Sequence, residues 1–238
     1  MDKKTADEIL AQMRQNYDNF AESFSRTRGY VPENVAALLG DFVKRGDRVV
    51  DIGCGNGRLY PFFKNKATDY NGIDASRKLI EIAADKYPGG NFSVGDALHL
   101  PFIADEFDLA VSLAVLHHIP SRECRDKFFQ EAHRILRTGG YFIVLVWDLR
   151  LPAMIRQRQW KRLKSFFRSQ IKIALEAEKM DFGDFFIPWQ NKYRRYHHAF
   201  SLGELRGLAK SAEFEIDKFG TMAHSDKESN LYIIAKKI

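Results

Sequence analysis

At 238 residues, with 45% hydrophobic and 29% charged residues and a net charge of +6, the chain is long enough for one sizeable α/β domain but cramped for two. Its first residues, MDKKTADEILAQ, lack the apolar run of a secretory signal, and the longest apolar run, Tyr141–Trp147, is far too short to span a bilayer. Cys54 and Cys124 form no metal-ligand spacing and suggest no disulfide framework, so no metal is expected and a reducing cytoplasm is the plain compartment.

Residues 1–25 read as one polar, weakly amphipathic helix ending near Ser25-Arg26-Thr27. Pro32 opens a second helix, with Val35, Leu38, Leu39 and Phe42 at helical spacing. The β-branched run Arg48–Ile52 ends in glycines and predicts a buried strand, followed by a helix through Leu59–Phe63. Tyr70–Ile73 and Asn91–Val94 are further strands, flanking a helix over Ser76–Lys86 with Ser76 as its N-cap. Asp108–Leu113 is a fourth strand. Ser121–Leu136 is a long amphipathic helix stopped by Gly139-Gly140, and Tyr141–Trp147 is a fifth, apolar strand. Strands alternating with helices imply an α/β fold, doubly wound around a parallel sheet covered on both faces.

The alternation breaks after Trp147. Between Arg150 and Glu176 lie Arg150, Arg156, Arg158, Lys161, Arg162, Lys164, Arg168 and Lys172, opposed only by Glu176; outside this segment 29 basic and 30 acidic residues nearly balance. The excess charge sits in one stretch, which suits a polyanion or an acidic membrane surface. A solvated face, or a helix packed on the domain, explains the same pattern. An aromatic stretch, Asp184–Phe200, follows; Ser201–Ala212 is a helix, and Phe214–Phe219 and Leu231–Ala235 are terminal strands. The expected organisation is a single domain over 1–238: N-terminal helices and lid (1–45), cofactor-binding core (46–149), a basic and aromatic substrate insertion (150–200), and a C-terminal helix with strands (201–238).

The chemistry-bearing motif is Asp51-Ile-Gly53-Cys-Gly55-Asn-Gly57, where a strand gives way to a helix. Glycines there permit backbone angles closed to other residues and let a ligand approach the main chain. The dinucleotide fingerprint G-x-G-x-x-G would need glycine at position 58, which is Arg58, so a nucleoside bearing an amino-acid tail fits better than a pyrophosphate. Asp51 is placed to accept from an ammonium or to orient the loop. Asp74, 21 residues after Gly53, is placed for ribose hydroxyls, and Asp96 with the Ala97 N–H for adenine. Either acid alone is equally well a cap or a solvated turn.

VVDIGCGNG, GIDAS, GDALHLPF, FDLAVSLAVLHHI and EAHRILRTGGYFIVLVW, spanning 48–147, resemble the class I S-adenosylmethionine-dependent methyltransferases. The resemblance implies a Rossmann-like, mostly parallel seven-stranded sheet with helices on both faces and its last strand antiparallel. It places S-adenosylmethionine against Asp51, Gly53, Gly55, Asp74, Asp96, Ala97 and Leu113. The segments FSRTR (Phe24–Arg28), SLAVLHH (Ser112–His118), Val146-Trp147, Phe186–Trp189 and Arg195–Phe200 narrow it. They are similar to the tRNA wobble-uridine carboxymethyl methyltransferases, which esterify 5-carboxymethyluridine in the anticodon loop; eukaryotic members work with a small zinc-binding activator subunit.

A carboxylate acceptor is already anionic at neutral pH, so the enzyme needs alignment and water exclusion rather than a general base. Arg28, His117, Trp147, Arg195 and His197 are the expected acceptor-pocket residues, with Trp189 fitting the same need. Plainer readings compete: core packing for Trp147, an anchor for Trp189, surface charge for Arg28, and a hydrogen bond to a backbone carbonyl for either His117 or its neighbour His118. The competing functions are a methyltransferase of small carboxylate or phenolic metabolites and a non-catalytic partner that keeps the fold.

Overall fold

The computed structural model describes every residue except 67, 176–178, 191 and 226–227, and the side chains of 224 and 225. At the N-terminus, α1 (Lys3–Asn19) and α2 (Ala21–Arg26) replace the expected single helix, because the backbone at Phe20 leaves the helical region. Next, α3 (Glu33–Gly40) starts at Pro32 and β1 covers Arg48–Ile52. The glycine turn then runs to α4 (Tyr60–Asn65), β2 (Asp69–Asp74), α5 (Arg77–Lys86) and β3 (Asn91–Val94). The Ser76 hydroxyl accepts from Leu79 N and caps α5 as expected.

Beyond these lie β4 (Phe107–Leu113), the 3-10 turn Leu116–His118 and α6 (Arg122–Ile135). The chain is already extended at Leu136, and β5 runs from Leu136 to Trp147 straight through the glycines expected to stop the helix. Their role is close approach. A Cβ on Gly140 would stand 2.9 Å from Arg137 O and 3.0 Å from Asp108 O, and Gly139 has φ +83°.

The insertion holds α7 (Leu151–Arg156), α8 (Trp160–Ala174), and a separate two-stranded hairpin, β6 (Asp184–Trp189) with β7 (Tyr193–His198). α9 (Leu202–Ser211), β8 (Phe214–Ser225) and β9 (Glu228–Lys237) close the fold.

The main sheet has seven strands in the order β3-β2-β1-β4-β5-β9-β8. β1 to β5 pair in parallel, and the last strand, β9, is antiparallel to both neighbours. One face buries Val50, Ile52, Phe142 and Val144 under Phe128, Phe129 and Ala132 of α6 and Leu205, Leu208 and Ala209 of α9. The other buries Val49, Leu109, Val111 and Ile143 under Val35 and Leu39 of α3 and Phe63 of α4. Strand order reverses between β1 and β4. In such sheets the crevice at the carboxyl ends of the strands, at that switch point, is where ligands bind.

Candidate functional site

A cavity of about 320 Å³ opens at that switch point, within the range of small-molecule sites. All seven residues expected at the cofactor, Asp51, Gly53, Gly55, Asp74, Asp96, Ala97 and Leu113, line it. Gly53 has φ +79°, and a Cβ there would lie 2.2 Å from Val115 Cγ2, so the turn needs glycine on two counts. The turn is pinned from β2: Gly53 N and Cys54 N both donate to Ile73 O, and Gly55 N donates to Asp74 Oδ2 at 2.9 Å. Asp74 Oδ1 accepts from Ser76 N, so this carboxylate fixes the loop and retains lone pairs for a ligand. Burial raises its pKa, opposed by those two amides.

Asp51 is buried and accepts from the Tyr70 hydroxyl at 2.8 Å; burial pushes its pKa up to about 7, against the Tyr70 hydrogen bond and nearby Arg58. An unpaired buried carboxyl of this kind welcomes an ammonium. Asp96 Oδ1 accepts from Leu98 N, which is the plain turn role, and its carboxylate also faces the cavity.

Asn56, inside the motif but assigned nothing by its sequence pattern, is buried. Its Nδ2 donates to Ser25 Oγ at 2.9 Å and to Arg28 O at 3.0 Å, strapping the FSRTR segment across the glycine turn. Phe24, Thr27 and Arg28 of that strap line the cavity. α1 is anchored alongside, since Asp18 accepts from Ser76 Oγ at 2.7 Å.

At the other end, β5 and β7 bring Trp147 and Arg195 to the cavity wall. The Arg195 guanidinium lies over the Trp189 ring at 4.4 Å and faces Trp147 at 5.5 Å. It is 3% exposed and has no carboxylate partner among the described residues. Burial depresses its pKa without plausibly neutralising a guanidinium.

His117 and His197, expected in the pocket, lie fully buried one layer behind the wall, stacked on each other (5.3 Å, 9°) and on Trp147. His118 is the histidine that reaches the cavity. Its Nδ1 donates to Tyr196 O at 2.7 Å, the backbone bond anticipated for it; its Nε2 therefore accepts from the Tyr17 hydroxyl at 2.9 Å. Tyr17, on α1, was not legible as a site residue, and its oxygen also meets Arg195.

Ligand atoms of His117, His118 and His197 fall within 4.8 Å of one another, a grouping that sequence spacing did not signal. Burial, reinforced by Arg195, lowers the pKa of all three imidazoles, that of His118 to about 3. They are neutral chiefly because they are buried, and the Arg195 cation near them also disfavours a metal ion.

A family model described as a methyltransferase domain matches residues 50–144. Among solved structures, a S-adenosylmethionine-dependent methyltransferase from Methanosarcina mazei superposes with TM-score 0.72, 23% identity, and coverage of 84% of this chain and 97% of that one. A chain of the complex between the Haloferax volcanii Trm112 methyltransferase activator and a methyltransferase gives TM-score 0.65 and 20% identity, over 94% and 96% of the two chains. Fold and cradle together define a class I methyltransferase.

The particular family follows from similarity along the whole chain. The tRNA (carboxymethyluridine(34)-5-O)-methyltransferase of Schizosaccharomyces pombe is 30% identical over 243 residues, covering 94% of this chain and 96% of that protein. The chain belongs to this family. An Arabidopsis thaliana protein of the same name is 37% identical over 131 residues, 55% of this chain but 31% of its own length, so the match spans about a third of that longer relative.

Proposed function

We propose that this protein uses S-adenosylmethionine to methylate tRNA, esterifying the carboxymethyl group of a wobble uridine in the anticodon loop. Family membership supports the reaction and the RNA. One observation carries the acceptor: Arg195 is a buried cation held between Trp147 and Trp189, with no acid to neutralise it among the described residues. Desolvating a guanidinium without a counter-ion costs several kcal/mol, a cost that an incoming carboxylate offsets by accepting its N–H groups.

When bound, the cofactor supplies an electrophilic methyl on a sulfonium, so a carboxylate oxygen gains the methyl and the sulfur leaves as a neutral thioether. The chain's part is placement and water exclusion. Asp74 holds the ribose, Asp96 and Ala97 the adenine, and Asp51 with Gly53 and Gly55 the amino-acid portion, along Leu113. Arg195 aligns the acceptor carboxylate, Trp147 and Arg28 bound its path, and His117 and His197 buttress Trp147 from behind.

Residues 1–238 act in this reading as one methyltransferase domain, with cytoplasmic tRNA as its substrate and a small, zinc-binding activator as its partner. The likeness to the Haloferax volcanii complex supports the partner. Among the described residues, no helix is long and apolar enough to cross a membrane.

Incubation with methyl-labelled cofactor and bulk tRNA, followed by digestion, tests the reading. Label in a methyl ester released by mild alkali is the expected result. Label confined to a base nitrogen, or to small metabolites with none in RNA, overturns it.

A further inference from the structure

One face of α8 serves none of the machinery above. Its inner side is committed: Ser165 Oγ donates to Phe186 O, Gln170 Nε2 donates to Asp184 O at 2.9 Å, and the Phe166 ring meets Phe185 at 5.4 Å. Trp160, Phe167 and Ile171, at spacings of seven and four, lie along the opposite side and are 60%, 47% and 60% exposed. Lys161, Lys164 and Arg168 interleave with them, and Arg156 and Arg158 extend the charge beyond the helix N-terminus. None of these five cations has an acidic partner among the described residues, whereas Arg162, on the inner side, pairs with Glu228 at 3.1 Å.

A helix that merely packs on its domain would not leave a tryptophan and a phenylalanine in water. A merely solvated face would not carry them either. Aromatic faces alternating with unpaired cations are what a nucleic-acid strand requires: ring surfaces for unstacked bases and charge for phosphates. The stripe also starts in the right place. Arg162 lies over the ring of Trp147 at 4.8 Å, so the first turn of α8 sits against the cavity wall, and Trp160 to Ile171 spans about 16 Å of helix.

We infer that the exposed face of α8 is the track for the RNA strand that continues from the base held in the cavity, with Trp160 and Phe167 as stacking platforms and Lys161, Lys164 and Arg168 on the phosphates. This rests on the tRNA reading and adds where the rest of the RNA lies. An anionic bilayer would meet the same stripe; the continuity with the cavity favours the strand.

Two variants test it: Lys161→Glu/Lys164→Glu/Arg168→Glu, and Trp160→Ala/Phe167→Ala. All five side chains are exposed, so both should match the parent's thermal unfolding and cofactor affinity. With tRNA, each should raise KM about tenfold or more at little change in kcat. The charge reversal should also flatten the salt dependence of tRNA binding by about two to three in log–log slope. A 5-carboxymethyluridine nucleoside, too short to reach α8, should react equally with parent and variants. Unchanged tRNA KM in both variants overturns the proposal, as does a loss confined to binding of phosphatidylserine vesicles. A parent protein that methylates no RNA at all overturns the tRNA reading instead.

Discussion

The two faces of β7 handle charge in opposite ways. Arg195 and His197 point toward the cavity side, where an unpaired guanidinium sits among neutral imidazoles. Tyr196 and His198 point the other way, where His198 and the nearby Arg125 meet carboxylates. His198 Nδ1 meets Asp184 Oδ1 at 2.6 Å and its Nε2 meets Glu204 at 3.0 Å, Tyr196 donates to Asp184, and Arg125 approaches Asp181, Asp184 and Glu204. Alternation along a strand makes the division possible, since successive residues serve different faces. The paired face fastens the hairpin to α6 and α9. The face without a carboxylate among the described residues is the one proposed above for the acceptor.

Arg195→Met should break the contrast most sharply. Activity on tRNA should fall about 1000-fold, the loss of a buried charge contact of roughly 4 kcal/mol, while thermal stability holds or rises because a desolvated cation is gone. Parallel initial-rate and calorimetric measurements read both; a variant that unfolds without specific loss of rate would make Arg195 structural.

His198→Asn attacks the paired face. Burial opposes protonation of His198, but its hydrogen bonds to Asp184 and Glu204 prevail and raise its pKa above the ordinary value. Its stabilisation is therefore complete below about pH 6.5 and fades as pH rises through the higher folded pKa. The variant should lose about 3 kcal/mol at pH 6 and clearly less at pH 9, by denaturant titration. An equal loss at both pH values would mean that His198 acts by packing alone.

Asp51 carries the same logic to the cofactor end. With a pKa of about 7 in the free protein, it must shed a proton to meet an ammonium. Cofactor affinity should then fall about tenfold for each pH unit below 7, with proton release on binding, and Asp51→Asn should abolish that slope. Titration calorimetry in buffers of different ionisation enthalpy measures it; pH-independent binding would place the ammonium elsewhere.

The smallest effect concerns Tyr17, whose hydroxyl links α1 to His118 and Arg195. Tyr17→Phe should raise the KM for tRNA about fivefold, the worth of one hydrogen bond, with kcat nearly kept. A matching fall in cofactor affinity would locate its influence at the nucleoside instead.

The parallel core was legible because its signals are local: β-branched runs ending in glycine, and Ser76 capping the helix three residues later. The grouping of Asp51, Asp74 and Asp96 around one cavity followed, since these acids stand at strand ends. The β6–β7 hairpin was read only as an aromatic stretch. Pro188 argues against a strand interior and is tolerated here in an isolated two-stranded ribbon, although Phe185, Trp189, Tyr193 and Tyr196 carry strong strand preference. The order of the histidines was likewise hidden. Which of His117 and His118 meets the cavity depends on a single 3-10 turn, and Tyr17 reaches it from about a hundred residues away in sequence. Such proximities depend on tertiary packing, which no local pattern encodes.

Asn56 belongs at once to the glycine turn and to the strap laid over it. A door whose latch is built into the floor cannot open while the floor stays still: lifting the FSRTR segment pulls, through the Asn56 side chain, on the glycine turn that lines the cavity. In the proposed placement of S-adenosylmethionine, movement of the strap and loosening of the turn are thereby coupled, so that release of the product nucleoside would involve both.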